Sequence, residues 1–160
     1  MSKIKIAVIG CGRISKNHFE SINIHKNHME LVSVCDVDHK IMEKHQKKYD
    51  VKGYTNLEKM LEGESLDLVA ICTPSGIHAA QTKVCAKYGI NVMTEKPMAT
   101  RWDDGLSMVK ACDDAGVRLF VVKQNRFNDT LKLLKRAILE KRFGRINMVH
   151  INVFWTRPQD

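Results

Sequence analysis

Long apolar runs are absent from this chain. Nothing in its 160 residues approaches the roughly 20 consecutive apolar positions that a membrane helix requires, so no bilayer-spanning segment is expected. The N-terminus, MSKIKIAVIG, has no apolar helix followed by a small-residue cleavage site, which argues against a secretory signal. Proline is scarce, at 3 residues, and glycine ordinary, at 9, so collagen-like and proline-rich tracts are excluded. The five cysteines, at 11, 35, 72, 85 and 112, are odd in number and contain no CxxC. That excludes a complete disulfide framework and favours buried, reduced thiols in a cytoplasmic protein. None of the seven histidines stands at ligand spacing from a cysteine, so no metal is expected.

What is there is globular. Hydrophobic residues make up 44% and charged residues 28%, values that a folded domain with its own core displays. The net charge of +8 is unevenly placed. Residues 1–117 hold 16 Lys and Arg against 15 Asp and Glu, a balance of +1, while residues 118–160 hold 10 against 3, a balance of +7. The basicity thus belongs to the tail, around Lys132, Lys135, Arg136, Lys141, Arg142 and Arg145. A solvated helix face is the ordinary reading of such a run. An acidic ligand or an acidic partner domain are the functional ones. Few aromatics interleave with these charges, so no nucleic-acid partner is expected.

The hydropathy pattern alternates between two periods. Ile4, Ile6, Ala7, Val8 and Ile9 form a near-continuous apolar strand of the kind buried on both faces of a parallel sheet. A helix is expected from about 13 to 24, a second strand through Leu31, Val32, Val34 and Cys35, and a Lys-rich helix over about 39 to 48. Thr55-Asn56-Leu57-Glu58 reads as a capping box opening a short helix. Further strands are expected at 66–72, around Ile90, Val92 and Met93, and at 119–122. Between them, Ile77, Ala80, Val84 and Tyr88 recur at helical spacing. So do Trp102, Leu106, Val109 and Cys112, behind a Thr100 cap. A last helix carries Leu131, Leu134, Ile138 and Leu139. Strands alternating with helices at this pace call for an α/β, doubly wound parallel sheet of the Rossmann type, because each parallel crossover needs a covering helix. One such domain is expected over residues 3–144.

Gly10-Cys11-Gly12-Arg13-Ile14-Ser15 ends the first strand and opens the first helix. Gly10 permits the tight turn, Gly12 lets the backbone approach a pyrophosphate, and the helix N-terminus offers free N–H groups. Ser15 stands where the usual fingerprint has its third glycine. Asp36 ends the second strand 24 residues after Gly12, near the spacing of a carboxylate that grips the adenosine ribose and repels a 2′-phosphate. The pair favours NAD over NADP. Asp36 as a simple helix cap is the alternative, although Asp38 is the better cap candidate. Two later strand ends also carry polar residues, Thr73-Pro74-Ser75-Gly76-Ile77-His78 and Glu95-Lys96-Pro97. A lysine there, beside a positively charged nicotinamide, suits proton exchange with a sugar hydroxyl; an ordinary loop lysine paired with Glu95 is the alternative.

Taken together, GCGRISKNH at 10–18, VCDVD at 34–38, CTPSGIH at 72–78 and EKPMAT at 95–100 resemble the N-terminal half of the glucose-fructose oxidoreductase / inositol dehydrogenase family, over about residues 3 to 126. The resemblance implies cofactor contacts from Gly10, Gly12, Arg13, Ile14, Asp36, Thr73, His78, Glu95 and Lys96, with Lys96 bridging to substrate as the catalytic residue. His18 matches the family pattern and is expected to pack and hydrogen-bond rather than react. The tail is similar to the branch that oxidises UDP-N-acetylglucosaminuronate at C3, in surface-polysaccharide synthesis. On that resemblance Asn125, Arg126 and Arg157 become candidate substrate contacts, since pyrophosphate and carboxylate groups select arginine forks.

The stretch 145–155 alternates apolar residues at Val149, Ile151, Val153 and Trp155 and reads as a strand. In the resembled family such a strand begins a second α+β domain that forms the substrate wall and the homo-oligomer interface. Residues 145–160 are therefore expected to be the start of a truncated C-terminal domain. A non-catalytic NAD-binding module left by loss of that domain is the rival reading.

Overall fold

The computed structural model describes residues 2–154 and 156. Six parallel strands form one sheet: β1 (Ile4–Ile9), β2 (Met29–Cys35), β3 (Lys52–Tyr54), β4 (Leu68–Ile71), β5 (Asn91–Thr94) and β6 (Leu119–Val121). Their spatial order is β3-β2-β1-β4-β5-β6, which is the doubly wound order with its reversal between β1 and β4. The interleaved helices are α1 (Ser15–Ile24), α2 (His39–Tyr49), α3 (Leu57–Gly63), α4 (His78–Lys87) and α5 (Trp102–Asp114).

The alternation of β1 feeds two cores at once. Ile6 and Val8 meet Val34 and Ala70 under Phe19 and Ile22 of α1. Ala7 and Ile9, on the opposite face, meet Val69, Ile71 and Val92 under Met60 of α3 and Cys85 of α4. Each fully buried Val or Ile contributes about 1.5–3 kcal/mol, which is why the central strands read as unbroken apolar runs rather than alternating ones.

Helix ends and faces depart from the sequence reading in instructive ways. Asp38 caps α2 as expected, its Oδ1 accepting from the Lys40 and Ile41 N–H groups at 2.8 and 3.2 Å. The cap of α3 is Asn56, which accepts from the Lys59 N–H at 2.9 Å, and not Thr55. Thr100 caps nothing: α5 starts one residue later than that cap allows, at Trp102, and has no side-chain cap. Its buried residues are Met108 and Cys112, while Trp102 is 80% exposed. Similarly α4 buries His78, Ala79, Thr82, Cys85 and Ala86 and leaves Ile77 and Tyr88 exposed. In α4 the inner face is mostly small, with Ala79, Thr82, Cys85 and Ala86 packed inside, so its large apolar residues do not mark that face.

The chain divides into two compact units, Met1–Val122 and Lys123–Asp160. The sheet and its helices form the first. The second holds a 3-10 turn at Gln124–Phe127 and helix α6 (Asp129–Leu139). Lys132 pairs with Asp129 at 3.1 Å, Arg142 with Glu140 at 2.6 Å and Arg136 with Glu140 at 3.9 Å; Lys135, Lys141 and Arg145 are exposed. The strand expected over 145–155 does not form. Residues 145–154 are irregular and exposed, and Trp155 lies outside the described residues. A strand is stabilised by its ladder, and no described strand pairs with this segment.

Candidate active site

The site is built at the carboxyl ends of β1, β2, β4 and β5, where the sheet order reverses. Gly10 follows β1 with φ of +80°. A Cβ there would sit 2.7 Å from the Thr73 nitrogen and 2.8 Å from the Cys72 carbonyl carbon. Only glycine allows the first loop to press so closely on the segment after β4. Gly12 is the opposite case, with nothing within 4 Å of where its Cβ would stand, so its backbone faces open space. Ser15 is wholly buried and its Oγ donates to the Gly12 carbonyl at 2.7 Å. The hydroxyl thereby fills the third glycine's place without an unpaired polar atom. The α1 N-terminus has no side-chain cap and no acidic residue in its first turn, which leaves its N–H groups and positive dipole end available to an anion. Arg13 is exposed on this turn, and Ile14 packs against the α1-side core.

Asp36 ties the first loop to the second. Its Oδ2 accepts from the Cys11 N–H at 2.7 Å and its Oδ1 from the Asp38 N–H at 2.9 Å. A carboxylate offers about four acceptor positions, so each oxygen keeps one for a further donor. Asp36, Gly10, Val37, Thr55, Thr73 and Gln81 line a cavity of about 250 Å³. Thr73 Oγ1 donates to Gln81 Oε1 at 2.5 Å. Gln81, Thr55 and Val37 were not legible as site residues: Gln81 belongs to no quoted motif, Thr55 stood only in a helix-capping pattern, and Val37 stood in VCDVD beside the carboxylate that drew attention.

The surrounding thiols are held neutral. Burial, then the Asp36 carboxylate, push Cys11 up to about 12 and Cys35 up to about 11. Cys72 is raised by burial and then by Glu95. No thiolate therefore opposes an anion bound at this loop.

At the end of β5, Glu95 is buried and Lys96 exposed. Glu95 Oε1 lies 2.9 Å from His18 Nε2, and its Oε2 accepts from the Lys96 N–H at 3.2 Å. The Glu95 carboxylate thus pairs with His18 of α1 and not with the Lys96 amine. His18 packs and hydrogen-bonds, as its sequence position implied. His78 requires a correction. The family resemblance makes it a cofactor contact, yet it is 1% exposed, with Nε2 2.8 Å from the Thr73 carbonyl oxygen and Nδ1 3.0 Å from that of Pro97. Both polar atoms are spent inside the protein, which leaves none for a ligand. Asn125 and Arg126 lie exposed in the 3-10 turn of the second unit, and Arg157 lies outside the described residues.

Residues 4–123 match the oxidoreductase family GFO_IDH_MocA, described by its NAD-binding Rossmann fold. The chain belongs to this family. Among solved structures, the WlbA dehydrogenase of Bordetella pertussis in complex with NADH and UDP-GlcNAcA is 51% identical, with a TM-score of 0.97 over 99% of this chain and 48% of that one. WlbA of Chromobacterium violaceum, with the same two ligands, is 54% identical, with a TM-score of 0.96 over 98% of this chain and 46% of that one. Among curated proteins, D-apiose dehydrogenase of Paraburkholderia graminis is 30% identical over 145 residues, 90% of this chain and 38% of the relative. The chain thus spans less than half the length of these relatives. Its first unit is the NAD-binding Rossmann domain of the family.

The residues present fit that cofactor. A glycine whose Cβ would collide with the neighbouring loop, an open Gly12, an uncapped helix start and a carboxylate with spare acceptor positions beside a cavity are what a pyrophosphate and a ribose diol require.

Proposed function

We propose that this chain is the cofactor-binding part of an NAD-dependent sugar dehydrogenase whose substrate is a nucleotide sugar, UDP-N-acetylglucosaminuronate being the leading candidate, with oxidation at C3. The observation that carries this reading is that Gly10, Gly12, Asp36, Thr73 and Lys96 all follow the carboxyl ends of β1, β2, β4 and β5, with Gly10, Asp36 and Thr73 lining one cavity. The identity of 51–54% with two WlbA structures holding NADH and UDP-GlcNAcA supports the substrate.

NAD, when bound, supplies the acceptor for the hydride leaving the carbinol carbon. The chain's own residues do the rest. Gly12 and the α1 N-terminus take the pyrophosphate, with Arg13 and Ile14 beside it. Asp36 accepts hydrogen bonds from the adenosine ribose hydroxyls. Lys96, with its amine free of the Glu95 carboxylate, exchanges the proton of the sugar hydroxyl as the carbonyl forms. The uronate and pyrophosphate of the substrate suit the tail cations, with Asn125, Arg126 and Arg157 as contacts. Residues 145–160 begin the second domain, which completes the substrate wall and supports a homo-oligomer.

Calorimetric titration tests the reading. NAD is expected to bind more tightly than NADP, and Asp36→Ser to narrow the gap, because a carboxylate at that place repels a 2′-phosphate. UDP-N-acetylglucosaminuronate is expected to raise the thermal midpoint in the presence of NAD, as any ligand of the native state does. Tighter NADP binding by the unaltered chain refutes the Asp36 assignment.

A further inference from the structure

The Glu95-Lys96-Pro97 loop is tied to two imidazoles, to one through the Glu95 carboxylate and to the other directly. On one side the Lys96 N–H donates to Glu95 Oε2, and the other oxygen of that carboxylate meets His18 Nε2. On the other side His78 Nδ1 lies 3.0 Å from the carbonyl oxygen of Pro97, the residue after the lysine. The second nitrogen of the same ring lies 2.8 Å from the carbonyl oxygen of Thr73. Carbonyl oxygens only accept and a neutral imidazole carries one N–H, so a neutral ring donates to one of the two, and donation from Nδ1 is the one that holds Pro97. His78 opens α4 and is 1% exposed. Its ring therefore spans from the loop after β4 to the loop after β5, with no polar edge left for anything else.

We propose that His78 is a positioning residue: its Nδ1–H holds the Pro97 carbonyl and so sets where Lys96 stands relative to the cofactor loop. Its part in turnover rests on the reading of Lys96 given above. The clamp itself does not. Both ring nitrogens face the main chain of two site loops, those after β4 and β5. Holding a reacting group in place matters because a misplacement of about 1 Å can lower turnover by on the order of 10²-fold.

The two nitrogens separate by substitution. In His78→Asn the side-chain amide nitrogen falls near Nδ1 and keeps a donor for Pro97. In His78→Gln it falls near Nε2 and keeps one for Thr73. Hydrogen exchange of the Lys96 amide reads the clamp without any activity. Protection is expected to fall by at least about tenfold in His78→Gln and to recover to within about threefold of the parent in His78→Asn, while amides of β2 stay unchanged, as befits a local opening. NAD affinity is expected to hold within a few fold in His78→Asn and His78→Gln. In the protein carrying its second domain, with NAD and UDP-N-acetylglucosaminuronate, kcat is expected to fall in His78→Gln and be rescued in His78→Asn, with KM little changed. Equal Lys96 protection in both variants overturns the proposal, and so does failure of both to fold, which would make the ring a core element. Lys96→Met, measured alongside, tells the two readings apart. Full turnover by that variant refutes the role of Lys96, and the exchange result still decides the clamp.

Discussion

His18 Nε2 stands 2.9 Å from Glu95 Oε1, and both side chains are almost out of solvent, at 11% and 9% exposure. This pair joins the first helix after the glycine loop to the loop that carries Lys96. It explains how two segments 77 residues apart meet at one site. It also changes the meaning of Glu95, whose carboxylate is a strut inside the protein before it is anything to a ligand.

Breaking the strut from one side is expected to be more damaging than replacing it gently. His18→Leu leaves the Glu95 carboxylate with only the Lys96 N–H, and removing one partner of a buried hydrogen bond costs about 1–3 kcal/mol. Glu95→Gln keeps an acceptor for the imidazole and an outline of the same size, so its cost is expected to be smaller. Urea unfolding of the two variants, compared at equal slope, measures the difference. A larger loss in Glu95→Gln refutes the strut.

The sheet and most helix positions were legible because they follow from periodicity. Ile6 to Ile9 read as a strand buried on both faces and are buried, and Gly10 and Asp36 fell at strand ends where a doubly wound sheet gathers its ligands. The strut and the clamp were not legible. His18 and His78 carry no periodic signal, and their partners are set by tertiary approach. The inner face of α4 was hidden for a related reason, since His78, Ala79 and Thr82 are polar or small and hydropathy looks for large apolar groups. The segment 145–154 has the alternation of a strand, but alternation describes a face, and pairing depends on a neighbour that no local pattern contains.

Three glycines separate steric need from ligand need. Gly10→Ala and Gly89→Ala both place a Cβ at positive φ, +80° and +71°, which costs about 1–2 kcal/mol. Only Gly10 adds a collision, with Thr73 and Cys72, so its loss is expected to exceed that of Gly89. Gly12→Ala meets no atom within 4 Å and is expected to keep stability within about 0.5 kcal/mol, as surface changes usually do. Its NAD affinity is expected to fall about tenfold, or 1.4 kcal/mol, since the new methyl occupies the pyrophosphate's approach. Calorimetry with NAD checks this, and an unchanged affinity removes Gly12 from the site.

The thiols beside the loop make the fold sensitive to alkali. Cys11 and Cys35 ionise at about 12 and about 11 in the folded chain, against an ordinary value of 9.0. A group that holds its proton more tightly when folded adds full stability below its unfolded value. That contribution is lost as pH rises from 9.0 toward the folded values, at up to about 1.4 kcal/mol per pH unit for each thiol. Chemical unfolding from pH 7 to 10 is expected to show stability falling above 9, and Cys11→Ala with Cys35→Ala to flatten the decline. At pH 8 the folded chain is expected to resist a thiol-specific reagent that labels it quickly in urea. Rapid labelling without urea contradicts the burial.

The segment 145–154 sets the last expectation. Val149, Ile151 and Val153 alternate, and with Met148 and Phe154 they are exposed. Extended, they present an apolar face and unpaired backbone groups, which is a template for pairing with another strand. The chain is therefore expected to self-associate through this segment as its concentration rises. Removal of residues 145–160 is expected to give a better-behaved species with the same affinity for NAD, because Gly10, Gly12, Asp36 and Lys96 all lie in the first unit. Sedimentation velocity on both lengths, with and without NAD, decides it. A monomeric whole chain whose residues 145–154 resist protease shows that the segment has found cover within the chain, and the pairing argument then fails.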